Sequence, residues 1–410
     1  MLAKHKTPLA WIAIACCCLL AAWSATHRLQ QSMPRAGTWD FPIFASYANQ
    51  FLATGMIYDR NLTQYAPGAA IYKFPPLSGS ILASALQAGF TENALMALGA
   101  SLQLAAFSGG ILLLTLVLLP DKRLEACALA VCMASALLPL LEENILRLQL
   151  EPAIFFLSTI AAICIYKDKC FIAGGLIGLA AALKIYPAVA LFFFIAARKW
   201  SALYGFIAGF LLACAFTLVT IGYAEHEFYV SRILPIMLQE NPADDVENIS
   251  SASILGMAGL NLTQIKLATP IILVTLLTLS LLPLAATAKT CSDGARKKMQ
   301  VLIFSMFIPC VLLGMNNSWW NYQILLSLPF TVIACLLLQN ALTLGKKADV
   351  WSLAGLLFML ASLHATASLT VDEQFYSTPL IKMIIAIVIR ILTPALLFLI
   401  FLRTVRINTH

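Results

Sequence analysis

Five groups of polar residues interrupt an otherwise apolar chain, and several are of types that can do chemistry. Asp40 stands between Trp39 and Phe41. A carboxylate flanked by rings suits catalysis, and an Asp here equally suits the N-cap of a helix with Pro42 in its first turn. Lys184, in Lys184-Ile185-Tyr186-Pro187, is an ammonium beside a helix-breaking proline, well placed to meet a phosphate. Glu142-Glu143-Asn144 with Arg147, Gln149 and Glu151 reads either as solvated loop charge or as the lining of a site. Arg147 and Glu151 have the i, i+4 spacing of neighbours on one helical face. In Asn316-Asn317-Ser318-Trp319-Trp320-Asn321-Tyr322-Gln323, the rings suit a membrane interface, but rings interleaved with amides also suit a sugar. A last group, Asp244, Asp245 and Glu247 before Asn248, belongs to a loop long enough to close over a site. His5, His27, His226, His364 and His410 have no ligand spacing, and HExxH, a Gly-rich phosphate loop and a nucleophile elbow are all lacking. Neither a metal nor a cofactor is expected.

The elements that position these groups must be membrane helices. The chain has 410 residues, of which 61% are hydrophobic and 11% charged, with a mean hydropathy of +0.87. Soluble domains carry about 25% charged residues, so a soluble enzyme, a nucleic-acid binder and a disordered chain are excluded. The apolar runs are continuous rather than alternating, which argues against a transmembrane barrel. A span needs about 20 apolar residues. The pattern predicts ten: Pro8–Thr26, Asn93–Leu119, Leu124–Leu141, Glu151–Tyr166, Ser201–Gly222, Leu267–Ala288, Gln300–Met315, Gln323–Leu342, Val350–Leu369 and Leu380–Leu402. The first is expected to be retained rather than cleaved as a signal peptide. The eleven cysteines imply no disulfide framework.

Positive charge sets the orientation. Placing the termini and the short basic loops in the cytoplasm gathers 16 Lys and Arg there against five acids. Residues 28–91 and 223–267 then become outer loops. Phe74–Phe90 cannot cross and is expected to lie at the outer leaflet as a juxtamembrane helix. Lys167/Lys169 and Arg198/Lys199 both fall inside, so 170–197 is expected to enter the membrane and return, with Lys184 to Pro187 at its tip. The competing reading is one long tilted helix with Lys184 buried within it, at a cost of about 2.5–3.5 kcal/mol.

Short motifs resemble the GT-C superfamily of polyprenyl-phosphate-sugar-dependent membrane glycosyltransferases. They are most similar to glycosyltransferase family 87, the polyprenyl-phosphomannose-dependent mannosyltransferases. The resemblance runs from about Trp39 to Phe330. It rests on Asp40-Phe41, Lys73-Phe74-Pro75-Pro76-Leu77, the stretch GLIGLAAALKIYP ending at Pro187, NISSASILGM, and SWWNYQILLSLPF. The family's usual Gly-Gln-x-Asn is here Leu148-Gln149-Leu150-Glu151, so Gln149 fits and Glu151 departs.

The resemblance implies an all-helical, GT-C-like polytopic fold. A catalytic module spans residues 1–222, with its outer loop at 28–91 and its re-entrant pair at 170–197, and a variable module spans 223–410. It further implies an inverting transfer of a hexose, mannose by family default, from a polyprenyl-phosphate-linked donor to an envelope glycan or glycolipid. This would take place at the outer face of the inner (cytoplasmic) membrane, with both termini cytoplasmic. Asp40 would be the general base. Lys184, with Arg147 and Lys73 as further choices, would hold the phosphate. Glu151 and Gln149 would bind the acceptor, and Tyr72, Trp319 and Tyr322 would line the sugar or lipid pocket. The partners are then donor, acceptor and membrane lipid, with no nucleic acid. The alternative class is a transporter or flippase of lipid-linked sugars. It shares the helix count and the buried charge, but would favour an internal repeat, and none is visible.

Overall fold

The computed structural model describes residues 19, 23, 25–38, 40–65, 72–239, 248, 250–285, 292–315, 318–343, 396, 397, 399–401 and 404. Trp39, the acidic run at 244–247, Asn316 and Asn317, and all or most of the expected spans Pro8–Thr26, Val350–Leu369 and Leu380–Leu402 lie outside them. The described residues are helical, without β-strands.

Helix α1 (Phe41–Thr54) and helix α2 (Pro76–Gln87) come from the first polar loop and pack together. Then follow α3 (Glu92–Leu118), α4 (Arg123–Ala136), α5 (Leu138–Arg147), α6 (Glu151–Tyr166), α7 (Cys170–Leu183) and α8 (Trp200–Ile221). The later bundle contains α9 (Leu262–Leu281), α10 (Asp293–Ser305), α11 (Phe307–Gly314) and α12 (Ser327–Thr343).

Among the described residues, five helical stretches are long and apolar enough to cross a membrane: Glu92–Leu118, Trp200–Ile221, Leu262–Ala285, Asp293–Gly314 and Asn321–Gln339. A sixth is possible if α4 and α5, bent by 54° at their junction, count as one. In the first three only 22–33% of the apolar window is buried, against 83% in the last two. The former therefore present apolar side chains outward, as lipid-facing helices do, and the latter form the centre. Helix α6 coincides with an expected span but has only 16 residues, a rise of about 24 Å.

The segment after α6 turns back on itself. Helix α7 ends at Leu183, Lys184 is extended (φ −148°, ψ 136°), and short helices run through Tyr186–Ala190 and Leu191–Ala196. Lys199 Nζ then lies 3.5 Å from Cys170 Sγ, so the two ends of the segment meet. One long tilted helix is excluded by this contact. What permits the fold is a glycine seam between α7 and α8. A Cβ on Gly174 would fall 1.8 Å from the Ala202 carbonyl oxygen, and one on Gly205 would fall 1.9 Å from that of Phe171. Spacing by four (Gly174 and Gly178 facing Gly205 and Gly209) lets two apolar backbones touch, the close-packing solution of membrane helices.

The first polar loop is fastened to the segment after α8. Glu225, itself buried, accepts hydrogen bonds from the backbone N–H groups of Ile57 (2.9 Å) and Tyr58 (3.2 Å) and pairs with Arg60. Tyr58, one of the residues bonded to Glu225, packs in an aromatic cluster with Tyr65, Tyr72 and Tyr229, with Phe44, Phe74 and Phe228 at its edge. Burial pushes the hydroxyls of Tyr58, Tyr72 and Tyr229 well above the usual tyrosine range, so they remain protonated.

Candidate active site

The site is built where α5 stops and α6 begins. Leu148 adopts a left-handed conformation (φ 51°), unusual for a branched side chain. The N–H groups of Leu148 and Gln149 donate to the carbonyls of Ile145 and Asn144, closing α5. The strained turn is held from outside. Leu148 lies against Gly99, and the Gln103 amide on α3 donates to the Gln149 carbonyl at 2.8 Å. Because of this turn, Arg147 and Glu151 do not share a helical face as their spacing suggested. Arg147 Nε donates to Glu143 Oε1 at 2.5 Å, whereas Glu151 begins a new helix and meets Lys184.

The charged run 142–147 is not a solvated loop. Glu142, Glu143 and Asn144 are buried on α5. Arg28 pairs with Glu142 at 3.0 Å, and the Ser32 hydroxyl donates to the same carboxylate. The Gly37 N–H donates to the Ile145 carbonyl at 2.9 Å. These bonds lay residues 28–37 along α5 and deliver Asp40 to the turn.

Asp40 does occupy the N-cap position of α1, yet its side chain makes no capping hydrogen bond. The carboxylate instead accepts from Gln149 Nε2 at 2.5 Å, with Arg147 Nη1 3.7 Å from the same oxygen. It keeps 24% of its side-chain surface exposed, and Arg147 keeps 20%. Lys184 is deeper. Its ammonium donates to Glu151 Oε1 (2.5 Å), Gln149 Oε1 (3.3 Å) and the Tyr322 hydroxyl (3.4 Å). It also lies over the rings of Phe74 and Tyr322, 4.6 and 4.5 Å from their centroids. Tyr186 stacks on Tyr322 at 5.5 Å. Gln149 thus bridges Asp40 to Lys184, its amide nitrogen serving one and its oxygen the other.

Of the residues singled out in the sequence, Asp40, Arg147, Gln149, Glu151, Lys184 and Tyr322 converge. Tyr72 belongs to the aromatic cluster, where its hydroxyl donates to the Pro75 carbonyl, bonds Ser78 Oγ and accepts the Gly79 N–H at 2.7 Å, fixing the start of α2. Replacing Tyr72 with Phe strips the buried Gly79 N–H of its acceptor and is expected to cost about 1–3 kcal/mol. A melting curve of the detergent-solubilised protein measures this. Lys73, half-buried, lies next in the chain, before Phe74. Trp319 forms a β-bridge with Asn248, whose side-chain oxygen accepts the N–H groups of Ser250 and Ser318. The Trp319 carbonyl accepts the Tyr322 N–H, so Trp319 belongs to the turn that carries Tyr322.

The sequence reading missed Gln103, Glu225 and Arg60. A lone Gln in the apolar run of α3 was a usable signal, since polar groups in such helices need internal partners. Glu225 and Arg60 are 165 positions apart, and nothing local connects them. Among the described residues, no three His, Cys, Asp or Glu side chains gather in the manner of a metal site.

Together these features define a polytopic helical membrane protein with a half-open carboxylate and arginine above a buried lysine. The family model of glycosyltransferase family 87 matches residues 72–315. The chain belongs to that family, and it is a membrane glycosyltransferase. Arg147, Gln149, Glu151 and Lys184 fall within the matched segment, and Asp40 and Tyr322 lie on either side of it. No curated protein and no solved structure gives a significant match.

Proposed function

We propose that the protein transfers a hexose, mannose first among candidates, from a polyprenyl-phosphate-linked donor to a glycan or glycolipid acceptor. The transfer takes place at the extracytoplasmic face of the cytoplasmic membrane and inverts the anomeric centre. The observation that carries this reading is the partly exposed Asp40 carboxylate, held by Gln149 and flanked by Arg147, within one bonded network with Lys184.

In the reaction, an acceptor hydroxyl oxygen attacks the anomeric carbon as the bond from that carbon to the phosphate oxygen breaks. Asp40 takes the hydroxyl proton, and the leaving polyprenyl phosphate keeps the bonding electron pair. Arg147 at the rim and Lys184 below stabilise the charge growing on the phosphate. Gln149 keeps the carboxylate aimed, while Glu151 and Tyr322 shape the acceptor and sugar side.

The orientation is supported by the distribution of charge along the bundle. Glu151 starts α6 at the site, and α6 runs away from it to Tyr166. Lys167, Lys169 and the Cys170–Lys199 contact follow at that far end, where Lys297 also bonds Asp168 at 2.7 Å. Such a basic end is expected to be cytoplasmic, and the site then faces the opposite side.

The test supplies the purified protein, in lipid nanodiscs, with a short-chain polyprenyl phosphate bearing a radiolabelled hexose, together with envelope glycolipid as acceptor. The expected result is label on the acceptor and release of polyprenyl phosphate. Movement of intact lipid-linked sugar across proteoliposomes, with no cleavage, would establish the transporter class instead.

A further inference from the structure

We propose that Glu151 is an internal competitor for the donor phosphate at Lys184, and that it thereby sets how tightly a lipid-borne phosphate binds. The inference deepens the function proposed above and rests on it.

An ammonium has three hydrogens to give. Those of Lys184 are directed to Glu151 Oε1, Gln149 Oε1 and the Tyr322 hydroxyl, and the rings of Phe74 and Tyr322 cover it further. A phosphate can reach Lys184 only if one of these partners gives way. Glu151 is the partner that an anion replaces in kind, because it is the one charged acceptor among the three.

Two further observations agree. Glu151 is fully buried, and its second oxygen, Oε2, has no hydrogen-bond partner among the described residues. Among the described residues the Lys184 ammonium is the hydrogen-bond partner of this carboxylate, so a phosphate that takes the ammonium must leave a buried charge uncompensated. Glu151 and an entering phosphate are also like charges drawn to the same ammonium, so the buried carboxylate repels the phosphate as well as occupying its ligand. Neutralising Glu151 removes both obstacles.

The experiment is titration calorimetry of the whole protein in nanodiscs with a short-chain polyprenyl phosphate, and in a parallel arm with inorganic phosphate. Glu151→Gln preserves shape and hydrogen bonding while removing the charge, and is expected to bind polyprenyl phosphate about tenfold tighter than wild type. In Glu151→Gln combined with Lys184→Met the gain disappears, because it acts through the ammonium. Should Glu151→Gln fail to fold, Glu151→Asn is read in the same way.

Equal or weaker binding in a folded Glu151 variant overturns the competition, as does a gain that survives the loss of Lys184. In either case wild-type binding of polyprenyl phosphate leaves the donor reading standing. A gain confined to inorganic phosphate overturns the lipid-borne ligand. If none of the proteins binds polyprenyl phosphate, the donor reading fails and this inference fails with it.

Discussion

Asp40→Asn is expected to reduce hexose transfer about 10²–10⁴-fold, the range that a positioned general base supplies. The protein should still insert, and its melting temperature should change little. The size of the effect follows from the geometry. The carboxylate makes no capping bond to α1, so the helix loses little when the charge goes. An Asn side chain still offers an oxygen to Gln149 Nε2, so the local hydrogen bond survives. What disappears is the proton acceptor. Initial rates with the labelled donor, compared with donor binding by calorimetry, separate these effects: the rate should collapse while donor affinity stays within a few-fold of wild type. Near-normal turnover would remove Asp40 as the base and turn attention to Glu151, the other carboxylate joined to Gln149 through Lys184.

The second large effect is on the fold itself. Gly205→Val is expected to abolish recovery of monodisperse protein from membranes. Even the first carbon of the new side chain would sit 1.9 Å from the Phe171 carbonyl oxygen and 2.8 Å from its carbon. Those atoms are backbone on a packed helix, and no rotamer change relieves the clash. Overpacking in ordinary cores costs about 1–3 kcal/mol, and a collision with rigid backbone exceeds that range. The matched control is Gly109→Ala on α3, where an added Cβ meets nothing within 4 Å, and recovery should be unchanged. Size-exclusion chromatography of fluorescently tagged variants distinguishes the two. Equal recovery would mean that α7 and α8 do not touch along this seam. Lys184, which directly follows α7, would then lack the support that places it.

The sequence made some of this architecture legible because hydropathy is a local property. Each of the five long apolar helices falls close to an expected span, since some 20 consecutive apolar residues permit little else. The break at Lys184 was legible for the same reason, as Pro187 lacks the N–H that would carry the hydrogen-bond ladder of α7 onward. Boundaries set by packing were not legible. The run from Leu124 reads as one span ending near Leu141, yet it bends by 54° beyond Ala136 and continues to Arg147 as a buried helix. Burial of Glu142 and Glu143 depends on Arg28 and Arg147 arriving beside them, and one of those partners is more than a hundred residues away.

The chain by itself determined the class of molecule, the approximate positions of the five long apolar helices among the described residues and the identity of the groups able to do chemistry. It also specified Asp40 only as a choice between cap and catalyst, and Arg147 with Glu151 as a pair on one face. The tertiary structure decided both. The left-handed turn at Leu148 sends Arg147 toward Asp40 and Glu151 toward Lys184, and Gln149 ties the two halves together. The physical reason is that a carboxylate's role depends on which donors reach it. Gln149 lies 109 positions from Asp40 and 35 from Lys184. Such separations are closed only when helices pack and the strained turn between α5 and α6 is held in place by Gly99 and Gln103.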